Sequence, residues 1–597
     1  MTSDHRFVVP AVCAGLALAV TAPLVFASGF VLAYDMVFTP RPALLPSSIG
    51  LGPALPRGVP AEAAVALATV VVPGQVLQKL LLFGLLVAAG LGAARLVPTG
   101  STVIRVVAAV AYSWNAFVAE RLFIGHWPLL LAYAALPWVV LAGLALRRGD
   151  RRAPAKLVLA MLPAVLGPSG GLLAAGAAIA AAGRRRLAVT VPVAIVLNAP
   201  WWVPAVLHTG GARSDPQGVA AFAARGESWA GPVLSVLGLG GIWNADVAPA
   251  TRDSPVTPVV TLVLVGLTLV GVPLLARRLG ARPARALLVL AAFGVLVAVA
   301  GAVPVLDEAL RLAVAHVPGA GLLRDGQRFA AWWALLVALG FALGAESLAG
   351  RLADPLGRRS LLAGAVLLPL VALPDLAWGG FGRLAPAHYP ADWSTVAALI
   401  AGGDENGDGN GAVLALPAMT YRQFGWNGRR TQLDPAPWLL PATTITDDSL
   451  VVGARVVGAR VVDGGVVDGS VVDGGVVESR VVDGSVVESR VVEGEDERGR
   501  RVRRAAEDGP AALTALGVEW VVVEHGTPGR LPGWLDGLTP RHQGQWVSLY
   551  RLGDPATAPR AGPPAAPVLA ADALALAVVA GALLWLVLPA GRVRAPI

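Results

Sequence analysis

Cysteine, lysine and charge are all scarce in this chain of 597 residues. The single cysteine, Cys13, excludes an intrachain disulfide. Lys79 and Lys156 are the only lysines, so nearly all of the 47 basic residues are arginines. With abundant alanine, glycine, valine and proline, that bias points to a high-GC bacterium. Charged residues make up 14% of the chain, where a soluble protein carries about 25%. A Walker loop, a zinc-ligand spacing and a nucleophile elbow are all missing. The net charge of +8 is gathered in short connections between apolar runs. It therefore does not mark a nucleic-acid surface, and no nucleic-acid partner is expected.

What the chain has instead is hydrophobic length: 55% of its residues are hydrophobic. Apolar runs fall at 8–33, 76–97, 103–119, 127–146, 155–169, 171–183, 187–207, 256–276, 285–304, 329–347, 360–376 and 568–589. A membrane span needs about 20 mostly apolar residues, so these predict about 12 transmembrane helices. The fifth and sixth, around Pro168-Ser169-Gly170-Gly171, are short enough to be tilted or re-entrant. Arginines collect in every second connection: Arg147 to Arg152, Arg184 to Arg186, Arg277 to Arg285, Arg351 to Arg359, and again at Arg592 and Arg594. Basic residues in short loops stay cytoplasmic. The expectation is a multi-pass protein of the bacterial plasma membrane with both termini inside, in contact with anionic lipids. The first run is longer than the core of a cleavable signal peptide and is read as retained.

The predicted domains are a membrane region at 1–376, an extracytoplasmic segment at 377–567 and a final span with a short basic tail at 568–597. Within the outer segment, 393–400 reads as a helix and 412–417 as a strand. Then 511–517 reads as a helix with a glycine stop, and 518–524 and 546–552 read as strands. This alternation predicts a small α/β domain. It is interrupted at 451–495 by nine pentapeptides opening with Val-Val. Adjacent valines cannot both face inward on a strand, and the Asp-Gly steps favour turns. The repeat is read as a low-complexity surface insertion. The run 404–409 matches the first half of a calcium loop, but Ala415 stands where the closing glutamate belongs.

The loops away from the arginine collar hold the chemistry-bearing residues. Asp35 lies where the first span exits, and an acid beside a membrane cavity is a functional candidate by default. After it come a proline-rich loop and an amphipathic stretch, 61–72, suited to the membrane surface. Glu120, Arg121 and His126 crowd a short hairpin between two spans. Glu120 and Arg121 read either as an ion pair or as part of a site in which Arg121 and His126 grip an anionic headgroup. Arg324 and Arg328 stand four residues apart at the mouth of the tenth span, where a helix N-terminus also favours phosphate. Asp325 between them reads equally as a helix cap.

Many spans, an acid in the first outer loop, a surface helix before the second span and an outer α/β domain near the C-terminus make the chain resemble the GT-C class of polytopic membrane glycosyltransferases. It is similar also to bacterial membrane proteins of unassigned function built on that plan. The resemblance covers the architecture of most of the chain, and Asp35 is the one residue that maps onto a functional position. It implies transfer of a sugar from a polyprenyl-phosphate donor to a cell-envelope glycan acceptor. Asp35 would be the general base, with Arg121, His126, Arg324, Arg328 and Glu120 around the substrate. The chain departs from the pattern in having Tyr34 and Met36 on either side of Asp35, with no second acid. No cofactor is implied, and a divalent metal has no paired-acid site.

Two other readings stay open. A transporter or lipid flippase would show internal repeats or paired broken helices with ionisable groups at mid-membrane. No clear repeat is visible, and charges inside the spans are few. A non-catalytic assembly or scaffold protein would use the outer domain to hold a partner.

Overall fold

The computed structural model describes residues 5–208, 214–402, 411–446, 450–459, 471–472, 475–482, 485–492, 496–554 and 562–588. The membrane part opens with α1 (His5–Val25), the surface helix α2 (Ala61–Thr69), α3 (Gly74–Leu96), α4 (Thr102–Ser113), α5 (Ala116–Phe123) and α6 (Trp127–Arg147). It continues with α7 (Ala153–Met161), α8 (Pro168–Ala182), α9 (Leu187–Leu207) and the short α10 (Gln217–Ala221) and α11 (Gly231–Leu237). Then come α12 (Thr257–Leu279), α13 (Ala281–Val299), α14 (Pro304–His316), α15 (Ala330–Ala349) and α16 (Pro355–Ala372). Among the described residues, ten helical segments are long and apolar enough to cross a membrane, the last being Ala565–Val587. The chain is therefore a multi-pass membrane protein.

Burial ranks these helices. α15 is almost wholly enclosed, while α12 and α16 expose most of their surface to the lipid region. The α15 sequence permits this: Gly340 and Gly344 let the backbone of α12 approach at Leu267, Thr268 and Gly271, the small-residue contact that holds helices together without a hydrophobic driving force. α4 and α6 are joined by a reciprocal clamp. The hydroxyls of Tyr112 and Tyr133 each donate to the other's backbone carbonyl at 2.8 Å, and their rings stack 4.1 Å apart.

Two expected spans come out short. α7 has 9 residues and α8 has 15. At 1.5 Å per residue they reach about 14 and 22 Å, less than the ~30 Å hydrocarbon core. They form a hairpin whose tip, Gly167, abuts Pro128 at the start of α6. The first span also ends earlier than expected. α1 stops at Val25, and residues up to Ala33 leave as extended chain. The reason lies in α3. The buried amide of Gln78 accepts from Val31 N at 2.9 Å and donates to Val31 O at 2.7 Å. Gln75 accepts from Gly29 N at 3.1 Å. A strand-like segment is thus satisfied by side chains instead of by its own helix.

The sheet domain near the C-terminus follows α17 (Ala377–Phe381), a turn wound left-handed through Trp378, Gly379 and Gly380. Its helices are α18 (Asp392–Gly402), α19 (Ala436–Leu439), α20 (Glu497–Asp508) and α21 (Pro510–Ala515). Its strands, counting β1 (Phe30–Val31) in the membrane part, are β2 (Pro386–Ala387), β3 (Ala412–Leu416), β4 (Tyr421–Gln423), β5 (Thr431–Leu433) and β6 (Thr444–Ile445). The repeat supplies β7 (Leu450–Ala459), β8 (Val471–Val472), β9 (Gly475–Val482) and β10 (Ser485–Val492), after which come β11 (Val518–Glu524), β12 (His542–Gln543) and β13 (Val547–Arg551). α22 (Ala565–Val587) closes the described chain.

Five strands form one sheet in the order β12-β13-β11-β3-β6, with β11, β3 and β6 parallel. Period-two alternation splits its core. Ala412, Leu414 and Leu416 face α20 and α21, while Val413 and Ala415 face α18 and α19. The valine repeat forms a separate antiparallel sheet, in the order β7-β10-β9-β8. This differs from the turn-rich insertion expected, because β-branched valines favour extended backbone. The Asp-Gly steps at 473–474 and 483–484 lie outside the described residues, as does the calcium-like run 404–409.

Candidate functional site

The hairpin β4–β5 reaches out of the sheet domain and pairs with the loop that leaves α1. Tyr34 N donates to Thr431 O at 2.7 Å, and Leu433 N donates to Tyr34 O at 2.9 Å. Tyr34 sits at φ 46°, a left-handed conformation that costs a non-glycine residue roughly 1–2 kcal/mol. It turns the chain so that Asp35 faces the membrane hairpin. Asp35 N donates to Ile124 O at 3.0 Å. Beneath it, Gly125 lies at φ 82°, and a Cβ there would sit 2.2 Å from Met36 N. Membrane hairpin, first loop and sheet domain therefore fix one carboxylate between them.

His126 Nε2 lies 3.1 Å from Asp35 Oδ2, and the Tyr421 hydroxyl donates to Asp35 Oδ1. Burial pushes the Asp35 carboxyl up, but the His126 hydrogen bond and charge, the Tyr421 hydroxyl and the nearby Arg328 outweigh it. The carboxyl is held below its ordinary range. Burial pulls the His126 imidazole down, assisted by the Arg328 and Arg121 guanidiniums and only partly opposed by Asp35. Asp35 is thus biased toward the carboxylate and His126 toward the neutral imidazole, with Nε2–H facing Asp35. Burial and the Asp35 charge raise Tyr421 well above the ordinary phenol range, so it remains a donor.

Arg328 Nε donates to Asp325 Oδ2 at 2.6 Å, and Arg328 Nη1 donates to Ser169 Oγ at 3.3 Å. The tip of the α7–α8 hairpin thus joins the site. Burial raises Asp325, but Arg328 and then Arg121 and His126 bring it below its ordinary range. Asp325 makes no side-chain cap; its carboxylate goes to Arg328. Arg121 is buried, 1% exposed. Its Nε and Nη1, with His126 Nδ1, have no hydrogen-bond partner among the described residues. An unmade bond from a buried charged group is costly, so the two Arg121 donors suit an anionic ligand oxygen, while His126 Nδ1, the bare nitrogen of the ring, can only accept.

The six residues singled out by sequence separate into groups. Asp35, His126, Arg328 and Arg121 share one electrostatic neighbourhood. Arg324 stacks instead over Phe222, with its guanidinium 5.2 Å from the ring. The expected shared helix face of Arg324 and Arg328 does not form, because a 3₁₀ turn, Gly326–Phe329, precedes α15. Glu120 makes no ion pair with Arg121 among the described residues. Successive positions on a helix point apart, and Glu120 meets Glu227 and Arg252. Arg252 Nε donates to Glu227 Oε2 at 2.9 Å. Gly240 makes room for this cluster, since a Cβ there would lie 2.2 Å from Glu227 Oε2.

Four contributors escaped the sequence reading. Tyr421 lies 386 residues from Asp35 in the chain, with no local signal. Glu227 and Arg252 sit in a loop of ordinary composition. Glu62 stands on α2, whose amphipathic character was visible, and lines a cavity of about 140 Å³ together with Asp35, Thr39, Trp127 and Trp438. Burial raises the Glu62 carboxyl above its ordinary range despite a hydrogen bond from Trp438. The cavity thus has one charged acid and one acid biased toward its neutral form.

No protein-family model matches the chain, and no curated protein matches it. Among solved structures, its fold is that of the arabinofuranosyltransferase AftD from Mycobacteria. The match has a TM-score of 0.53 and 17% identity, and it covers 93% of this chain and 40% of that one. A mutant form of the same protein matches with a TM-score of 0.52 at 17% identity, covering 93% and 42%. The chain thus spans well under half the length of the protein it matches. The architecture read from the sequence, many apolar helices with a sheet domain near the C-terminus, holds at the level of fold.

Proposed function

We propose that the chain is a membrane glycosyltransferase that takes a sugar from a polyprenyl-phosphate donor and passes it to a cell-envelope glycan. The observation that carries this reading is the carboxylate of Asp35, held by His126 at 3.1 Å and by Tyr421, beside the partnerless donors of buried Arg121. In this proposal the arginine-rich helix ends and both termini are cytoplasmic. The Asp35 end and the sheet domain are extracytoplasmic.

The acceptor hydroxyl gives its proton to Asp35 as its oxygen bonds to the anomeric carbon. The bond from that carbon to the phosphate oxygen breaks, and the electron pair leaves with the polyprenyl phosphate. Arg328 and Arg121 stabilise the charge that develops there. A base kept ionised by two donors is always competent but weak, so its gain belongs near the lower end of the ~10²–10⁴-fold typical of such groups. The transporter or flippase and the scaffold gain nothing from the fold, since neither needs a fixed carboxylate beside free guanidinium donors.

The test is transfer in proteoliposomes supplied with a radiolabelled polyprenyl-phosphate sugar and a glycan acceptor. Asp35→Asn should lower turnover by roughly 10²-fold or more with normal protein yield. Full activity in that variant would remove Asp35 as base.

A further inference from the structure

A second polar recess lies beside the site, built from the loop between α9 and α12. It has a volume of about 380 Å³, and its lining includes Arg225, Glu227, Ser228, Arg252 and Asp253. Its walls are fixed. Arg252 bridges Glu227 Oε2 and Ser235 O, and Thr251 donates to Asp375 through both its backbone and its hydroxyl. The recess adjoins Asp35 through its wall. Ala245 and Ala248 line it, and Asp246 between them accepts from the Tyr34 hydroxyl at 3.4 Å. On the far side, Glu227 meets Glu120, the neighbour of Arg121.

We propose that this recess is a subsite for a neutral, polyhydroxylated ligand: sugar residues of the acceptor glycan, held as the terminal hydroxyl approaches Asp35. The inference rests on the transferase reading and places its acceptor. Charge balance selects the ligand class. Two guanidiniums, Arg225 and Arg252, face two carboxylates, Glu227 and Asp253, so an anion would be repelled as much as attracted. An apolar ligand would strand these polar groups. A sugar hydroxyl both donates and accepts. It can accept from Arg225 Nε, a buried donor with no partner among the described residues, and donate to the Asp253 carboxylate in the lining. Glu227, only 4% exposed, is held by Arg252 and Glu120, so this wall of the recess is fixed. Next in the chain after the lining residue Ser228, Trp229 is 76% exposed, and its indole N–H is tied to Pro255 O at 3.3 Å. The ring is a flat apolar plate on which the C–H face of a sugar can rest.

The experiment is saturation-transfer NMR on the full-length protein in detergent, with arabinofuranosyl, mannopyranosyl and galactopyranosyl tetrasaccharides as probes. At least one should bind. Trp229→Ala and Arg225→Ala should each weaken that binding roughly tenfold, the scale of one lost contact. Leu574→Ala, on the exposed face of α22, should leave binding unchanged. Binding by none of the probes, wild-type affinity in both recess variants, or displacement of the sugar by inorganic phosphate would overturn the subsite. The two readings fail separately. If Asp35→Asn stops transfer while Trp229→Ala and Arg225→Ala bind normally, the subsite alone is lost. If those variants lose the sugar while Asp35→Asn still transfers, the base assignment alone is lost.

Discussion

At the scale of single residues, Asp35 is defined by its neighbours. Its position at the exit of α1 marks it in the sequence, and so does the basic hairpin carrying Arg121 and His126. What holds its carboxyl below the ordinary range is first the hydrogen bond from His126 and then the one from Tyr421, which comes from another domain. The pH consequence has a definite sign. Because the folded carboxyl titrates below its ordinary range, around 3.9 for free Asp, transfer should hold as pH falls through that range and fail only beneath it. Tyr421→Phe removes one stabilising donor, so the acid limb of the rate profile should move to higher pH, with roughly tenfold or less lost at neutral pH. An unmoved limb would show that Tyr421 does not act on Asp35. Arg422 beside it is 1% exposed and bonded to Glu524 and Asp434. Arg422→Met should destabilise the sheet domain by about 3–5 kcal/mol, since it leaves two buried acids unpaired. Thermal unfolding followed by tryptophan fluorescence checks this. Neither tyrosine nor arginine was legible as functional, because a contact across hundreds of residues leaves no periodicity.

Elements were more legible than contacts. The strand at 518–524 was placed by its valines and bounded by Gly517, and the structure has it at Val518–Glu524. Ten of the twelve apolar runs form helices of span length among the described residues. The reading weakened where helices are short. α7 and α8 carry enough hydrophobicity for spans, but hydropathy does not encode the turn at Gly167 that folds them into a hairpin and brings Ser169 to Arg328. Likewise nothing in the run 26–33 announces that Gln78 will hold it extended. The valine repeat was judged by its turns and forms strands. Among the described residues it pairs with itself and not with the five-stranded sheet, so deleting 451–495 should leave expression and unfolding temperature nearly unchanged, given the small entropic cost of loop length. A collapse in yield would show that the repeat supports the domain.

At the scale of the molecule, the account requires one face. Asp35, the α7–α8 tip, the β4–β5 hairpin and the polar recess gather at the helix ends opposite the arginines. Arginine placement then predicts opposite reporter locations for fusions at Gly183 and Gly402, cytoplasmic for the first and external for the second. Both on one side would break the topology. The most direct measurement of the central claim is mass spectrometry of lipid-linked sugars and envelope glycans in a strain lacking this protein. The strain should accumulate a polyprenyl-phosphate sugar and a truncated glycan. The wild-type gene should reverse both, and Asp35→Asn at equal protein level should reverse neither. Unchanged glycans and donor lipids in the deletion strain, or full rescue by Asp35→Asn, would contradict the account.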